Sequence, residues 1–293
     1  MKTIGLAPNP NKKEAVQLAA ELADWLAERN VRALLVREVA GPAGKPQLAA
    51  DDDEIASADM LLVLGGDGTM LRWSRIAGLK GTPMLGVNFG QYGFITEIHP
   101  KEAMTALARV LEGDYAISER VVLRAEVTRH GEQAGEYFAL NDAVVSKGPV
   151  TRMLGLHTFV NDKFIVTYSA DGIIVSTPTG STAYSLSAGG PVVHPHVSVL
   201  IITPICPHTM NARSLVIPDT ETVKIVGESS EEDLEIVLTM DGQVTHCLTH
   251  EDAVEIAKAD FAARLIQLDS QSFYNKVQNR LRWGERFSGE QLC

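Results

Sequence analysis

The residues best suited to chemistry lie in the run Leu61-Leu62-Val63-Leu64-Gly65-Gly66-Asp67-Gly68-Thr69-Met70-Leu71-Arg72. Four apolar residues lead into three glycines around one aspartate, and helix-compatible sequence follows at once, which reads as a strand, a tight turn and a helix. Glycines let the backbone take unusual dihedrals and let a ligand approach bare N–H groups, and the helix adds its positive end at the same place. Such a turn suits phosphate. Asp67 would then orient or deprotonate a hydroxyl attacking a γ-phosphate. An Asp67 that only caps the helix fits the same residues. Two common nucleotide signatures are missing: no lysine follows the turn as in a Walker loop, and no GxGxxG follows the first strand.

The elements that must hold this turn read as strands alternating with helices. Residues 2–7 form a short apolar strand, and Val16, Leu18, Ala19, Leu22, Trp25 and Leu26 follow on a helical stripe. Val31 to Val36 is a second strand, residues 59–64 a third, and Pro83 to Asn88 a fourth. That order predicts a parallel sheet covered on both faces, with ligands at the carboxyl ends of its strands. The loop Phe89-Gly90-Gln91-Tyr92-Gly93-Phe94 follows the fourth strand at such an end. Asp51-Asp52-Asp53-Glu54 reads as a solvated helix start and not a metal site.

From about residue 119 the texture turns β-rich, with strands at Val121–Thr128, Tyr137–Ser146, Leu154–Val160, Phe164–Tyr168, Thr222–Val226, Leu234–Met240 and Ala253–Ile256. Asn161-Asp162 and Asp241-Gly242 have the composition of hairpin turns. The expected division is an α/β domain over 1–118 and a β-rich domain over 119–269, with an amphipathic helix within 270–293 packing back on the first. From Gly172 to Ala212, 41 consecutive residues include no Lys, Arg, Asp or Glu. Five prolines in that run exclude a membrane helix, and a ligand-facing segment or subunit interface explains it better.

Across 293 residues, 37 acidic against 26 basic side chains leave a net charge of −11. This gives no footprint for nucleic acid or an anionic membrane, so a polyanionic ligand needs a local exception. Cys206, Cys247 and Cys293 make no metal or disulfide pattern, and the N-terminus lacks a signal-peptide core, so a cytoplasmic location is expected. His194, His196 and His208 lack ligand spacing and are read as structural or interfacial.

Gly65-Gly66-Asp67-Gly68-Thr69 resembles the GGDGT signature shared by NAD kinases and related lipid kinases. Later segments choose between the two. Leu140-Asn141-Asp142-Ala143-Val144 resembles the Asn-Glu/Asp motif of NAD kinases, and residues 171–184, Asp-Gly-Ile-Ile-Val-Ser-Thr-Pro-Thr-Gly-Ser-Thr-Ala-Tyr, are similar to their long signature almost residue for residue. Ser187 to Pro191, Thr203 to His208, Arg213 to Pro218 and Asp241-Gly242-Gln243 continue the match. Two departures are Tyr92-Gly93-Phe94-Ile95, where the family often reads Leu-Gly-Phe-Leu, and Val121-Val122 where many relatives carry a polar residue.

The resemblance implies Asp67 as the catalytic acid or base, with Gly66, Gly68, Thr69 and Arg72 at the phosphates of ATP or polyphosphate. It implies Asn141 and Asp142 at the adenosine of NAD and Asp171 at the nicotinamide end. Arg152, Thr182, Ala183, Tyr184, Ser187 and Gln243 complete the expected NAD site. It further implies Mg²⁺ carried mainly by nucleotide phosphates, with no protein metal site, and a homo-oligomer, dimer or tetramer. The reaction would move a γ-phosphoryl group to the 2′-hydroxyl of the adenosine ribose. The rival readings are a lipid kinase sharing the turn and a non-catalytic NAD(P) sensor.

Overall fold

The computed structural model describes residues 1–90, 93–96, 98–148, 154–228, 235–249, 252–268 and 273–281. β1 (Thr3–Pro8) is followed by α1 (Lys13–Ala27), which buries Ala15, Val16, Ala19, Leu22, Ala23 and Leu26 along one face. β2 (Arg32–Val36), α2 (Arg37–Ala40), β3 (Ala49–Ala50) and α3 (Asp52–Ala56) come next. α3 is the acidic helix start: Asp51 accepts from Glu54 N at 2.9 Å, and the Glu54 carboxylate accepts from Asp51 N. β4 (Met60–Gly65), α4 (Asp67–Lys80), β5 (Met84–Asn88) and α5 (Ala103–Leu111) complete the α/β half.

Within this half the strands lie in the order β3-β2-β1-β4-β5, all parallel. Every residue of β4 is buried, the pattern of a strand covered on both faces. Because β2 and β4 leave β1 on opposite sides, the topology reverses between β1 and β4. Their carboxyl ends, at Pro8 and Gly65, therefore open the crevice where such sheets bind ligands.

The β-rich half runs through β6 (Ala116–Arg129), β7 (Glu132–Ala139), β8 (Asp142–Lys147), β9 (Leu154–Val160), β10 (Lys163–Ala170) and β11 (Gly172–Ser176). α6 (Tyr184–Ser187), β12 (Val199–Ile205), β13 (Leu215–Pro218), β14 (Val223–Glu228), β15 (Ile236–Met240), β16 (Val244–Leu248), β17 (Asp252–Gln267) and α7 (Phe273–Leu281) follow. Both expected hairpin turns form. Asn161 and Asp162 take φ of 48° and 62°, as a two-residue turn matching strand twist requires, and Asp241 and Gly242 take 52° and 64° at the start of a three-residue loop that ends at Gln243.

β13-β12-β11-β8-β15-β16 make an antiparallel sheet that faces β6, β9, β14 and β17 across a core of residues such as Leu123, Ile173, Ile225, Leu238 and Ile256. Each fully buried side chain of this kind contributes about 1.5–3 kcal/mol. β17 is much longer than the Ala253–Ile256 strand expected. It pairs with β14 and β6, carries a bulge between Lys258 and Ala262, and reaches β5 at Leu265 opposite Met84. One strand thus joins the parallel strands to the antiparallel strands β14, β9 and β10 in a single sheet, opposite the β13-to-β16 sheet. Residue 118, the expected boundary, falls inside β6.

Candidate functional site

β4 delivers the glycine turn to the crevice, and α4 begins within it. Gly66 occupies the N-cap position, and no side chain caps the helix. Asp67 is not the cap that one reading of the sequence allowed. Its carboxylate turns to the segment after β5, where Oδ2 accepts from Phe94 N at 2.8 Å and Oδ1 accepts from Thr96 N at 3.1 Å and from the Thr96 hydroxyl at 2.9 Å. Gly93 packs so closely on this carboxylate that a Cβ there would overlap it. The Thr69 side chain folds back over Gly65, where any Cβ would collide with its hydroxyl, and accepts from Asn9 Nδ2 at 3.3 Å.

A first cavity of about 420 Å³ opens at the β1/β4 switch point. Gly66, Gly68, Thr69, Arg72 and Gln243 line it, so five of the residues singled out from the sequence meet here. Gln243, assigned to the NAD side, sits beside the glycine turn. Asn9 and Lys12 also line this cavity and were not singled out; their signal was position alone, just beyond the carboxyl end of β1. Lys12 Nζ donates to Phe89 O at 2.7 Å, and Arg72 pairs with Asp52 at 3.0 Å and Glu38 at 3.6 Å. Lys12 brings a positive charge to this mouth, whereas that of Arg72 is offset by the two carboxylates it pairs with.

A second cavity of about 390 Å³ is lined by Asn141, Asp142, Ala183, Tyr184 and Asp241, among others. β8 presents Asp142 at its first residue, and the Tyr184 ring is half exposed. The Asp142 side chain is buried, and burial together with the nearby Asp241 pushes its pKa up to about 7. Burial also raises Asp241, against the opposing effect of the backbone N–H groups of Asn141, Leu140 and Asp142 and of Arg75. Asp171 is not among the residues that line this cavity and forms an ion pair with Lys147 at 2.6 Å. Ser187 is exposed on α6, and Arg152 lies outside the described residues.

The hydroxyls between the two cavities mostly serve the chain itself. Thr177 Oγ1 donates to Leu140 O at 2.6 Å and accepts from Gly180 N at 3.0 Å, while Ser181 Oγ donates to Pro178 O at 2.7 Å. These bonds shape the turn that carries Thr182, Ala183 and Tyr184 outward. Thr182 lines a third cavity, of about 260 Å³, with Phe94, His194 and Phe273. His194 stacks edge-on with His196 and with Phe273 of α7, and His196 Nε2 lies 3.0 Å from Ser118 Oγ. α7 also sets Arg280 over the Phe94 ring at 5.3 Å, so it touches both halves of the chain.

Among the described residues, no group of three or more His, Cys, Asp or Glu side chains is placed to hold a metal ion, and no helix is long and apolar enough to cross a membrane.

Residues 4–115 match the model for the ATP-NAD kinase N-terminal domain, and residues 140–268 match that for the ATP-NAD kinase C-terminal domain. An NAD kinase of Syntrophotalea carbinolica is 40% identical over 98% of this chain and 100% of its own length. One from Moorella thermoacetica is 43% identical over 97% of this chain and 90% of its own. In fold the chain resembles yeast NADH kinase complexed with NADH, with a TM-score of 0.90, 24% identity, and coverage of 98% of this chain and 89% of that one. It also resembles an NAD kinase from Archaeoglobus fulgidus in complex with ATP, with a TM-score of 0.74, 21% identity, and coverage of 96% and 98%. Neither domain model favours the lipid-kinase alternative. With both halves matched in order and relatives similar along nearly their whole length, the chain belongs to the ATP-NAD kinase family and is a kinase.

Proposed function

We propose that the protein transfers the γ-phosphoryl group of ATP to the 2′-hydroxyl of the adenosine ribose of NAD, giving NADP and ADP. The observation that carries this reading is the pairing of two cavities. One holds a glycine turn, a helix N-terminus, Lys12 and Arg72, which suit a triphosphate. The other holds Asn141, buried Asp142 and an exposed tyrosine ring, which suit the polar edges and flat face of adenosine.

In this reading the ribose 2′-oxygen attacks the γ-phosphorus as the bond to the β–γ bridging oxygen breaks. Asp67 orients the hydroxyl and takes its proton. A carboxylate offers about four lone-pair sites. Phe94 and Thr96 occupy three of them, which fixes the group and leaves one site unused. Gly66 has open space where a side chain would stand, beside the phosphates, while Gln243 Nε2 lies against Gly68. The oxygen donors around the first cavity, from Asn9, Glu38 and Thr69, do not form a carboxylate cage, and they fit a Mg²⁺ ion that arrives on the phosphates and keeps much of its water. When bound, that ion neutralises donor charge.

Self-association fits the exposed apolar residues Val197, Met210, Leu215 and Val216 in and beside the uncharged run. A dimer or tetramer in sedimentation at micromolar concentration is the expected result, and a monomer there contradicts it. A cytoplasmic location suits a consumer of ATP and NAD. The donor is tested by offering ATP and inorganic polyphosphate separately with NAD and Mg²⁺. Phosphoryl transfer to NAD from ATP supports the reading, and transfer from neither donor overturns it.

A further inference from the structure

The turn joining β15 to β16 belongs to both main cavities. Gln243 lines the first and Asp241 the second. α4 sends one side chain to both of them: Arg75 Nη1 donates to Asp241 Oδ2 at 3.0 Å, and its Nη2 donates to Gln243 Oε1 at 2.7 Å. Gln243 in turn donates from Nε2 to Gly68 O, in the glycine turn, at 2.7 Å. Asp241 accepts from Leu140 N at 3.0 Å, Asn141 N at 2.7 Å and Asp142 N at 3.3 Å. A continuous polar chain therefore runs from the phosphate-holding turn to the backbone of the Asn141-Asp142 segment, and Arg75 is its branch point.

The chemistry of that branch point calls for arginine. The Asp241 side chain is fully buried and that of Arg75 is 15% exposed, so the pair is shielded from water and removal of either member strands the other. A guanidinium presents its donors in a rigid plane and can hold two acceptors at a fixed separation. An ammonium group is a point charge that cannot impose that geometry.

We propose that Arg75 is a positioning residue: it holds the glycine turn and the Asn141-Asp142 segment in one register, so that a phosphoryl donor in the first cavity meets a ribose hydroxyl presented from the second. The proposal rests on the kinase reading above. Arg75 lines neither cavity, so its effect passes through Gln243 and Asp241 and falls on the alignment of bound substrates, not on their affinity. In-line transfer is sensitive to such alignment, and a misplacement of about 1 Å from a remote change can cost about a hundredfold in rate.

The test compares wild type, Arg75→Lys and Arg75→Met as full chains. Arg75→Lys keeps a positive charge beside Asp241 and loses the second arm of the fork, so it serves even where Arg75→Met fails to fold. The expected result for Arg75→Lys is a thermal midpoint near wild type and a kcat lowered between about ten- and a hundredfold. Its KM values for ATP and NAD should stay within about threefold of wild type. A second readout needs no turnover: ATP alone should slow hydrogen exchange at the amides of residues 140–142 in wild type and fail to do so in Arg75→Lys. A lysine variant with full kcat, variants with raised KM and unchanged kcat, or equal ATP-induced protection in wild type and variant would each overturn the proposal. Absence of NADP formation by the wild type would instead overturn the kinase reading, and the exchange comparison would still decide the role of Arg75.

Discussion

The three hydrogen bonds to Asp67 come from Phe94 and Thr96, and two of them are backbone N–H groups that no rotamer change can withdraw. Asp67→Asn is therefore more than the loss of a charge. An amide has one acceptor oxygen, so the Phe94 N–H would face an NH₂ group, at about 1–3 kcal/mol for the unsatisfied donor. A lower thermal midpoint is expected along with a fall in kcat of about 10²–10⁴-fold. Steady-state kinetics beside a melting curve check both, and near-normal kcat would remove Asp67 from the chemistry. Asp142 gives a pH prediction. Its pKa rises from 3.8 unfolded to about 7 folded, so over that range the folded protein holds a proton that the unfolded chain has lost. Stability from this group is full below 3.8, is lost as pH rises toward about 7, and changes little above that. Asp142→Asn should flatten this decline; a variant whose melting temperature follows the same pH slope as wild type would contradict it. At this scale the sequence singled out Asp67, Asn141 and Asp142 through their motifs. It hid Arg75, because a contact between residues 166 apart leaves no local pattern. Thr96 was hidden for the same reason.

Two short segments decide how the site is shaped. The segment 93–96 straps the Asp67 carboxylate, and the turn 177–183 props up the start of β8. Gly180 is the tight point of the second turn, since a Cβ there would run into the Asn141 backbone. Gly180→Ala must push Asn141 outward or open the turn. A stability loss of about 1–3 kcal/mol is expected from such overpacking, a thermal midpoint lower by several degrees. The KM for NAD should rise while that for ATP changes little, and equal effects on both substrates would show that the damage is not local to the second cavity. The regular elements of the α/β half were legible because their signals are strong: a buried apolar run in β4, a helical stripe in α1, and an acidic cap ahead of α3. Asn161-Asp162 and Asp241-Gly242 were legible as hairpins because only a few residue types tolerate left-handed φ at both positions. β17 was not. Alternation marks Ala253–Ile256, but beyond the bulge at Lys258 the side chains change face and the period-two signal breaks, although the strand continues to Gln267.

In the whole molecule a parallel sheet and an antiparallel sandwich share one strand; the first cavity is lined from both halves, and the 241–243 turn lines it and the second cavity alike. The −11 charge argued against a polyanionic ligand at large, and at the mouth of the first cavity the structure sets Lys12 beside an Arg72 already paired with Asp52 and Glu38. The uncharged run from Gly172 to Ala212 became two core strands, β11 and β12, joined by a hydroxyl-rich turn and an exposed apolar margin. Its composition thus had several causes, which a count of charges could not separate. Motif order along the chain disclosed the division of labour between the halves, whereas the joint itself depends on pairing and hydrogen bonds between distant segments. The most direct measurement incubates the purified chain with NAD, ATP and Mg²⁺ and reads the product with an NADP-specific dehydrogenase. Wild type should yield NADP and Asp67→Asn almost none; NAD recovered unphosphorylated from the wild type, or phosphorylated at a position that such a dehydrogenase does not accept, would contradict 2′-phosphorylation by this site.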